Sequence, residues 1–180
     1  MRQLLNTILL SAALFTSAAW AETRDVETHF FQPKLGDFKA ELDTVKKEGK
    51  KGIFLFFEMD ECPWCARMKA SILNQSAVQD YYRQHFLIYP VDVKGDVSMT
   101  DFAGKATTEK AFALENRVRA TPTMLFVDGS GKILTRFTGP TRSVDEMLLL
   151  GRYVVEDGYK QMPFTKYKQV KPAAPPPRAQ

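Results

Sequence analysis

Gly52-Ile53-Phe54-Leu55-Phe56-Phe57-Glu58-Met59-Asp60-Glu61-Cys62-Pro63-Trp64-Cys65-Ala66-Arg67-Met68-Lys69 joins an apolar run to both cysteines of the chain. From Ile53 to Phe57 every side chain is apolar, with no alternation, which predicts a strand over Lys51 to Glu58 covered by helices on both faces. Cys62 and Cys65 stand three apart, so on the helix that follows they share a face and their sulfurs come within disulfide reach. Pro63 falls at the first helical position, where its missing N–H costs nothing and its fixed φ is already helical. The free N–H groups and positive dipole end of that helix favour a thiolate on Cys62, expected to be the more exposed sulfur. This is the layout of a redox nucleophile with its resolving partner beside it.

Other uses of a C-x-x-C fit less well. Half a zinc site needs two further ligands, and His29 and His85 are far apart and outside any ligand spacing. Haem attachment needs a histidine after the second cysteine, where Ala66 stands. A structural disulfide closing so short a loop removes little chain entropy. No metal is therefore expected.

The N-terminal stretch, with Arg2, an apolar core from Leu4 to Ala18 and then Ala19-Trp20-Ala21, reads as a secretory signal cleaved after Ala21. The apolar core is too short and interrupted for a membrane span, so no stable membrane insertion is expected after cleavage. The expected product is exported and periplasmic. An exported protein ordinarily uses cysteines as staples, and placing both in one C-x-x-C points to chemistry instead. The chain has 25 basic and 21 acidic residues, interspersed, and Lys46-Lys47 with Lys50-Lys51 reads as a solvated helix end, so no nucleic-acid partner is expected.

Residues 22 to 34 offer only Phe30-Phe31 before Pro33, which suggests a loop or short edge strand. Phe38, Leu42 and Val45 predict a helix over about 37–48. The cysteine helix should run from Cys62 to about Leu73, followed by a helix capped by Ser76 and ending near His85, and then a strand from Phe86 to Val93. Lys94 to Lys105 is polar, longer than a usual connection, and suits an insertion with a short hairpin around Val97 to Phe102. Thr108 to Asn116 is helical in spacing; Thr123–Val127 and Lys132–Phe137 form a hairpin around Asp128-Gly129-Ser130-Gly131. Ser143 with Glu146 reads as a capping box opening a helix to about Glu156. The order implies a small α/β sandwich with a mixed sheet, its C-x-x-C beyond the C-terminal end of a central strand, where such sheets present their chemistry.

Two parts of the sequence resemble the thioredoxin superfamily: the strand, C-x-x-C and helix element, and Val118-Arg119-Ala120-Thr121-Pro122-Thr123-Met124-Leu125-Phe126, similar to that family's cis-proline loop. The resemblance implies a thioredoxin-like three-layer sandwich over residues 36–158. It leaves 1–21 as signal peptide, 22–35 as an N-terminal extension and 159–180 as a proline-rich flexible tail. It also implies that Thr121-Pro122 faces Cys62 and that the Thr121 backbone pairs with an extended substrate strand. With Pro63 and Trp64 these make the expected substrate-binding residues. A narrower similarity is to exported thioredoxins of the SoxW type, through Phe56-Phe57-Glu58, the Asp92 to Lys105 segment, Ala120-Thr121-Pro122-Thr123 and Leu149 to Tyr159.

Two departures from the family bear on mechanism. The buried acid usual six residues before the first cysteine is replaced by Phe56. Glu58, two residues on and so on the same strand face, is the candidate proton acceptor. Between the cysteines stands Pro63-Trp64, with no histidine to stabilise the thiolate, and Asp60 and Glu61 add negative charge; both favour a reducing couple. The expected function is a thiol–disulfide oxidoreductase reducing protein disulfides through Cys62 and Cys65, with no cofactor. By resemblance its electron donor is a membrane carrier of the DsbD or CcdA kind. An oxidase or isomerase would use the same cysteines, and a Cu(I)-binding protein would use them with Met59 or Met68.

Overall fold

A computed structural model describes residues 22–33 and 36–171; the expected signal peptide and the proline-rich residues 172–180 lie outside these. Strand β1 (Gly52–Glu58) runs parallel to β2 (Phe86–Asp92) on one side and antiparallel to β5 (Thr123–Val127) on the other. Strand β6 (Ile133–Thr138) pairs with β5, giving a mixed sheet of order β2-β1-β5-β6. The central position of β1 explains its unbroken apolar sequence. Phe54 and Phe56 face one core, while Ile53, Leu55 and Phe57 face the other, and all five are fully buried.

The second of these cores is closed by α1 (Phe38–Lys47) and α4 (Glu109–Glu115) through Phe38, Leu42, Val45 and Phe112. The first is closed by α2 (Pro63–Met68), α3 (Ser76–His85) and α5 (Val144–Val155). Helix α5 packs closely on α3: a Cβ at Gly151 would lie 2.8 Å from Tyr81 Cε1 and 3.0 Å from Tyr82 Cε2. The small residue is therefore worth the ~1 kcal/mol of helix propensity it gives up. The chain is a three-layer α/β sandwich with helices on both sheet faces.

Several local expectations need correction. Residues 22–33 form no edge strand, and the loop expected there is interrupted at its centre. Val26–Phe30 form a π-helical turn capped by Asp25, whose carboxylate accepts from the Thr28 N–H at 2.8 Å, and Phe30 and Phe31 are buried. Their apolar pair gains more from the first core than an edge strand would gain from one ladder. The stretch after residue 158, expected as tail, carries a helix: α6 (Phe164–Val170) packs Phe164 and Tyr167 against Tyr153. The cysteine helix changes from α to π winding at Lys69–Leu73. Helix α3 has Gln75, not Ser76, at its N-cap, and the Ser76 N–H is satisfied by the Glu22 carbonyl at 2.9 Å.

The segment after β2 contains a hairpin of β3 (Ser98–Thr100) and β4 (Ala106–Thr108), displaced from the expected centre. At α5, Ser143 Oγ accepts from the Glu146 N–H at 3.2 Å, but Glu146 reaches back to the Arg142 N–H at 2.6 Å, one residue earlier than in a capping box.

Candidate active site

Strand β1 ends at Glu58, and a tight turn over Met59–Glu61 leads to Cys62, which occupies the N-cap of α2 with Pro63 after it. Cys62 and Cys65 form a disulfide, their Cα atoms 5.2 Å apart. The Cys65 N–H donates to Cys62 Sγ at 3.1 Å, so a backbone donor already points at the sulfur that would carry a thiolate charge. The expected contrast in exposure is absent: Cys62 and Cys65 are 4% and 2% exposed. The Cys62 backbone N–H is taken by the Met59 carbonyl at 3.2 Å, which closes the preceding turn.

Beneath the pair lies a cavity of about 180 Å³ lined by Glu58, Asp60, Cys62, Cys65, Lys69 and Asp92, among others. The cavity brings Glu58 together with both cysteines. The Glu58 side chain is 16% exposed, and its carboxylate is bonded by Lys69 Nζ at 2.7 Å to Oε2 and 2.8 Å to Oε1. Burial raises the Glu58 pKa above the ordinary glutamate value; Lys69 opposes this, and the negative charges of Glu27 and Asp92 add to it. Burial works against the Lys69 ammonium too, but Glu27 and Glu58 outweigh it and hold its pKa above the ordinary lysine value.

Outside the cavity the charges are wetter. Glu61 is paired with Lys94 from the segment after β2 at 2.8 Å, which lowers the Glu61 pKa. The negative charge expected beside Cys62 is thus matched in part by a cation.

The Thr121–Pro122 peptide is cis. Pro122 is buried, and its carbonyl accepts from the Gly139 N–H at 2.8 Å. Thr121 shares a groove with Met59, Leu114 and Val118, which connects the proline loop to the turn before Cys62. Trp64 is half exposed on the other side, in a groove with Arg67, Pro140, Thr141 and Arg142, and the Arg67 guanidinium lies 5.6 Å from its ring centre. Pro63 and Trp64 thus lie between the cysteines, Trp64 in one groove, while Thr121 lines another that reaches Met59 in the turn before Cys62.

Sequence reasoning missed Lys69, Asp92, Leu114 and the Pro140-Thr141-Arg142 loop. Lys69 had a signal: it lies one helical turn beyond Cys65, and so on the cysteines' side of the helix. Met68 is fully buried in the first core, which accounts for it as packing. Among the described residues no cluster of three or more His, Cys, Asp and Glu could hold a metal ion, and no helix is long and apolar enough to cross a membrane.

Residues 38–154 match the family model of a thioredoxin-like domain. No curated protein matches the chain. Among solved structures it is similar to a thioredoxin-fold protein from Helicobacter pylori, at 22% identity and TM-score 0.56, over 68% of this chain and 82% of that one. It is similar also to a thioredoxin from Thermus thermophilus, at 25% identity and TM-score 0.53, over 68% and 86%. A third is DsbH oxidoreductase, at 24% identity and TM-score 0.50, over 78% and 92%.

Proposed function

This chain belongs to the thioredoxin-like domain family, and within it we propose a thiol–disulfide oxidoreductase that acts as a reductase of protein disulfides in the periplasm. The observation that carries the reading is the redox-type pair itself. Cys62 and Cys65 are joined at the N-terminus of α2, a backbone N–H is directed at Cys62 Sγ, and a carboxylate of raised pKa shares the cavity beneath them.

In the reduced protein the Cys62 thiolate attacks one sulfur of a substrate disulfide, forming a mixed disulfide and releasing the other substrate sulfur as thiolate. Cys65 then loses its proton to Glu58 and attacks Cys62 Sγ. The Cys62–Cys65 disulfide forms, the second substrate sulfur leaves, and two electrons have passed to the substrate. The substrate strand lies between the Trp64 and Thr121 grooves, with the Thr121 backbone at the cis peptide as its pairing partner. A membrane dithiol carrier of the DsbD or CcdA kind returns the two electrons. The export signal over 1–21 and the SoxW-type similarity of the Asp92 to Lys105 segment support the compartment.

The direction rests on what surrounds Cys62: Trp64 stands where a histidine would stabilise the thiolate, and Glu58, Asp60 and Asp92 line the cavity against the one ammonium of Lys69. The test is the reduction potential of the couple, by equilibration against glutathione or dithiothreitol. A reductase requires about −250 mV or lower; a value of about −120 to −180 mV makes the protein an oxidase or isomerase instead.

A further inference from the structure

Lys69 does not belong to Glu58 alone. Its Nζ lies 2.8 Å from Glu27 Oε1, contributed by the π-helical turn that precedes the family domain at residue 38. Glu27 is 58% exposed and Glu58 16%, so the ammonium joins a wet carboxylate to a buried one. The same Nζ stands 5.4 Å from the centre of the Phe31 ring, which walls it in from the N-terminal side.

The segment bearing Glu27 is firmly seated. The Arg24 N–H donates to the Asn74 carbonyl at 2.7 Å, and the Gln32 N–H to the Ile88 carbonyl at 2.9 Å. The Ile88 N–H returns a bond to Gln32 Oε1 at 2.6 Å, and between the two anchors Phe30 and Phe31 are buried. Glu27 is thus delivered to Lys69 by a fixed scaffold.

A buried lysine given wholly to one carboxylate would hold it ionised and make it a weak proton acceptor. Sharing the ammonium changes this. We propose that Glu27 is a positioning residue of the cysteine site: by taking half of Lys69 it leaves Glu58 free to take up and release the proton of Cys65, and it links Glu58 to solvent. The proposal rests on the oxidoreductase reading above, with Glu58 as proton acceptor. Charged and titratable groups facing Glu58 are Lys69 from the cysteine helix, Glu27 from the N-terminal turn, Asp92 from β2, Asp60 from the turn, and the two cysteines. Removing Glu27's charge transfers the whole ammonium to Glu58 and lowers its pKa; removing Lys69 raises it. Burial is the main cause of the raised Glu58 pKa in the native protein, and the Glu27 charge adds to it in the same direction.

The test follows the Glu58 carboxyl carbon by NMR as pH is varied, in the full mature protein, beside the pH profile of the rate at which Cys65 releases a model thiol held as a mixed disulfide on Cys62. Glu27→Gln is expected to move both midpoints to lower pH and Lys69→Met to move both to higher pH, with Glu22→Gln, an exposed carboxylate of the same segment, moving neither. A Glu58 midpoint unmoved by Glu27→Gln overturns the proposal and leaves the oxidoreductase reading standing. A midpoint that moves in NMR while the rate profile stays fixed overturns the proton-acceptor role of Glu58, and the tuning with it. A reduced wild-type protein that cleaves no disulfide removes the oxidoreductase reading itself.

Discussion

Lys69 and Lys94 each bring an ammonium to about 2.8 Å from a carboxylate beside the cysteine loop, Lys69 to Glu58 and Glu27, Lys94 to Glu61. The bonds match in length and differ in surroundings. Lys69 and Glu58 are 26% and 16% exposed, with the Lys69 ammonium against the Phe31 ring, whereas Lys94, on the segment after β2, and Glu61, in the turn before Cys62, are 60% and 72% exposed. Attraction between charges at that separation is about four times larger at an effective dielectric of 20 than in water. Desolvation offsets much of that gain for a buried pair, so the difference lies mainly in which charges the fold can hold in place and shift.

The largest test of the comparison removes what holds Lys69 in place. Phe31 is 3% exposed and its ring lies 6.0 Å from that of Phe56. Phe31→Ala is expected to cost about 3–5 kcal/mol in urea unfolding, as for other buried aromatic truncations. Val97→Ala, on the exposed side near Lys94, is expected to cost less than about 0.5 kcal/mol. A Phe31→Ala cost below about 1 kcal/mol would mean that the N-terminal segment is only loosely docked, and the contrast between the two lysines would dissolve.

Chemistry gives the next effect in size. Glu58→Gln removes the proposed acceptor and is expected to slow disulfide release on the order of 10²-fold, while Glu61→Gln changes it less than about twofold. The sign of the pH dependence follows from burial. A carboxyl whose pKa is raised stays protonated to higher pH, so the base form, and with it the rate, is lost as pH falls through a midpoint above the ordinary glutamate range. Glu58→Gln should erase that limb of the stopped-flow pH–rate profile, and a limb that persists would assign it to another group.

What the sequence made legible was local. The unbroken Ile53–Phe57 run, Pro63 after Cys62, and the apolar spacing of α1 and α5 each state their structure within one element, and their order yields the sandwich. Placing Glu58 on the side of β1 that meets the cysteines needed only strand alternation. The Lys69–Glu27 contact spans 42 residues and joins an element with no periodicity to one whose winding changes at that residue. The π-helical turn exists because Phe30 and Phe31 find a core to enter, which no window around them displays. Helix α6 was hidden by its neighbours: Phe164 and Tyr167 are spaced for one helix face, but the prolines that follow dominate the composition of that end. Glu146 shows the finer limit, since the capping-box pattern is present while its carboxylate bonds one residue away.

The smallest effect is the most discriminating, because it asks whether a wet ion pair beside a thiol matters. Lys94→Met leaves Glu61 without its cation close to Cys62. Unpaired, the Glu61 charge disfavours the Cys62 thiolate, so the Cys62 midpoint, followed by thiolate absorbance in the reduced protein, should rise slightly at low salt. At 1 M salt, where charges are screened beyond about 3 Å, the difference from wild type should vanish. Unfolding stability should stay close to that of wild type, as for other exposed pairs. The same salt series on Lys69→Met should keep most of its effect on the Glu58 midpoint, since burial leaves little room for counterions between Lys69 and Glu58. If both variants lose their effects together as salt is added, solvent reaches both lysines alike, and burial is not what separates them.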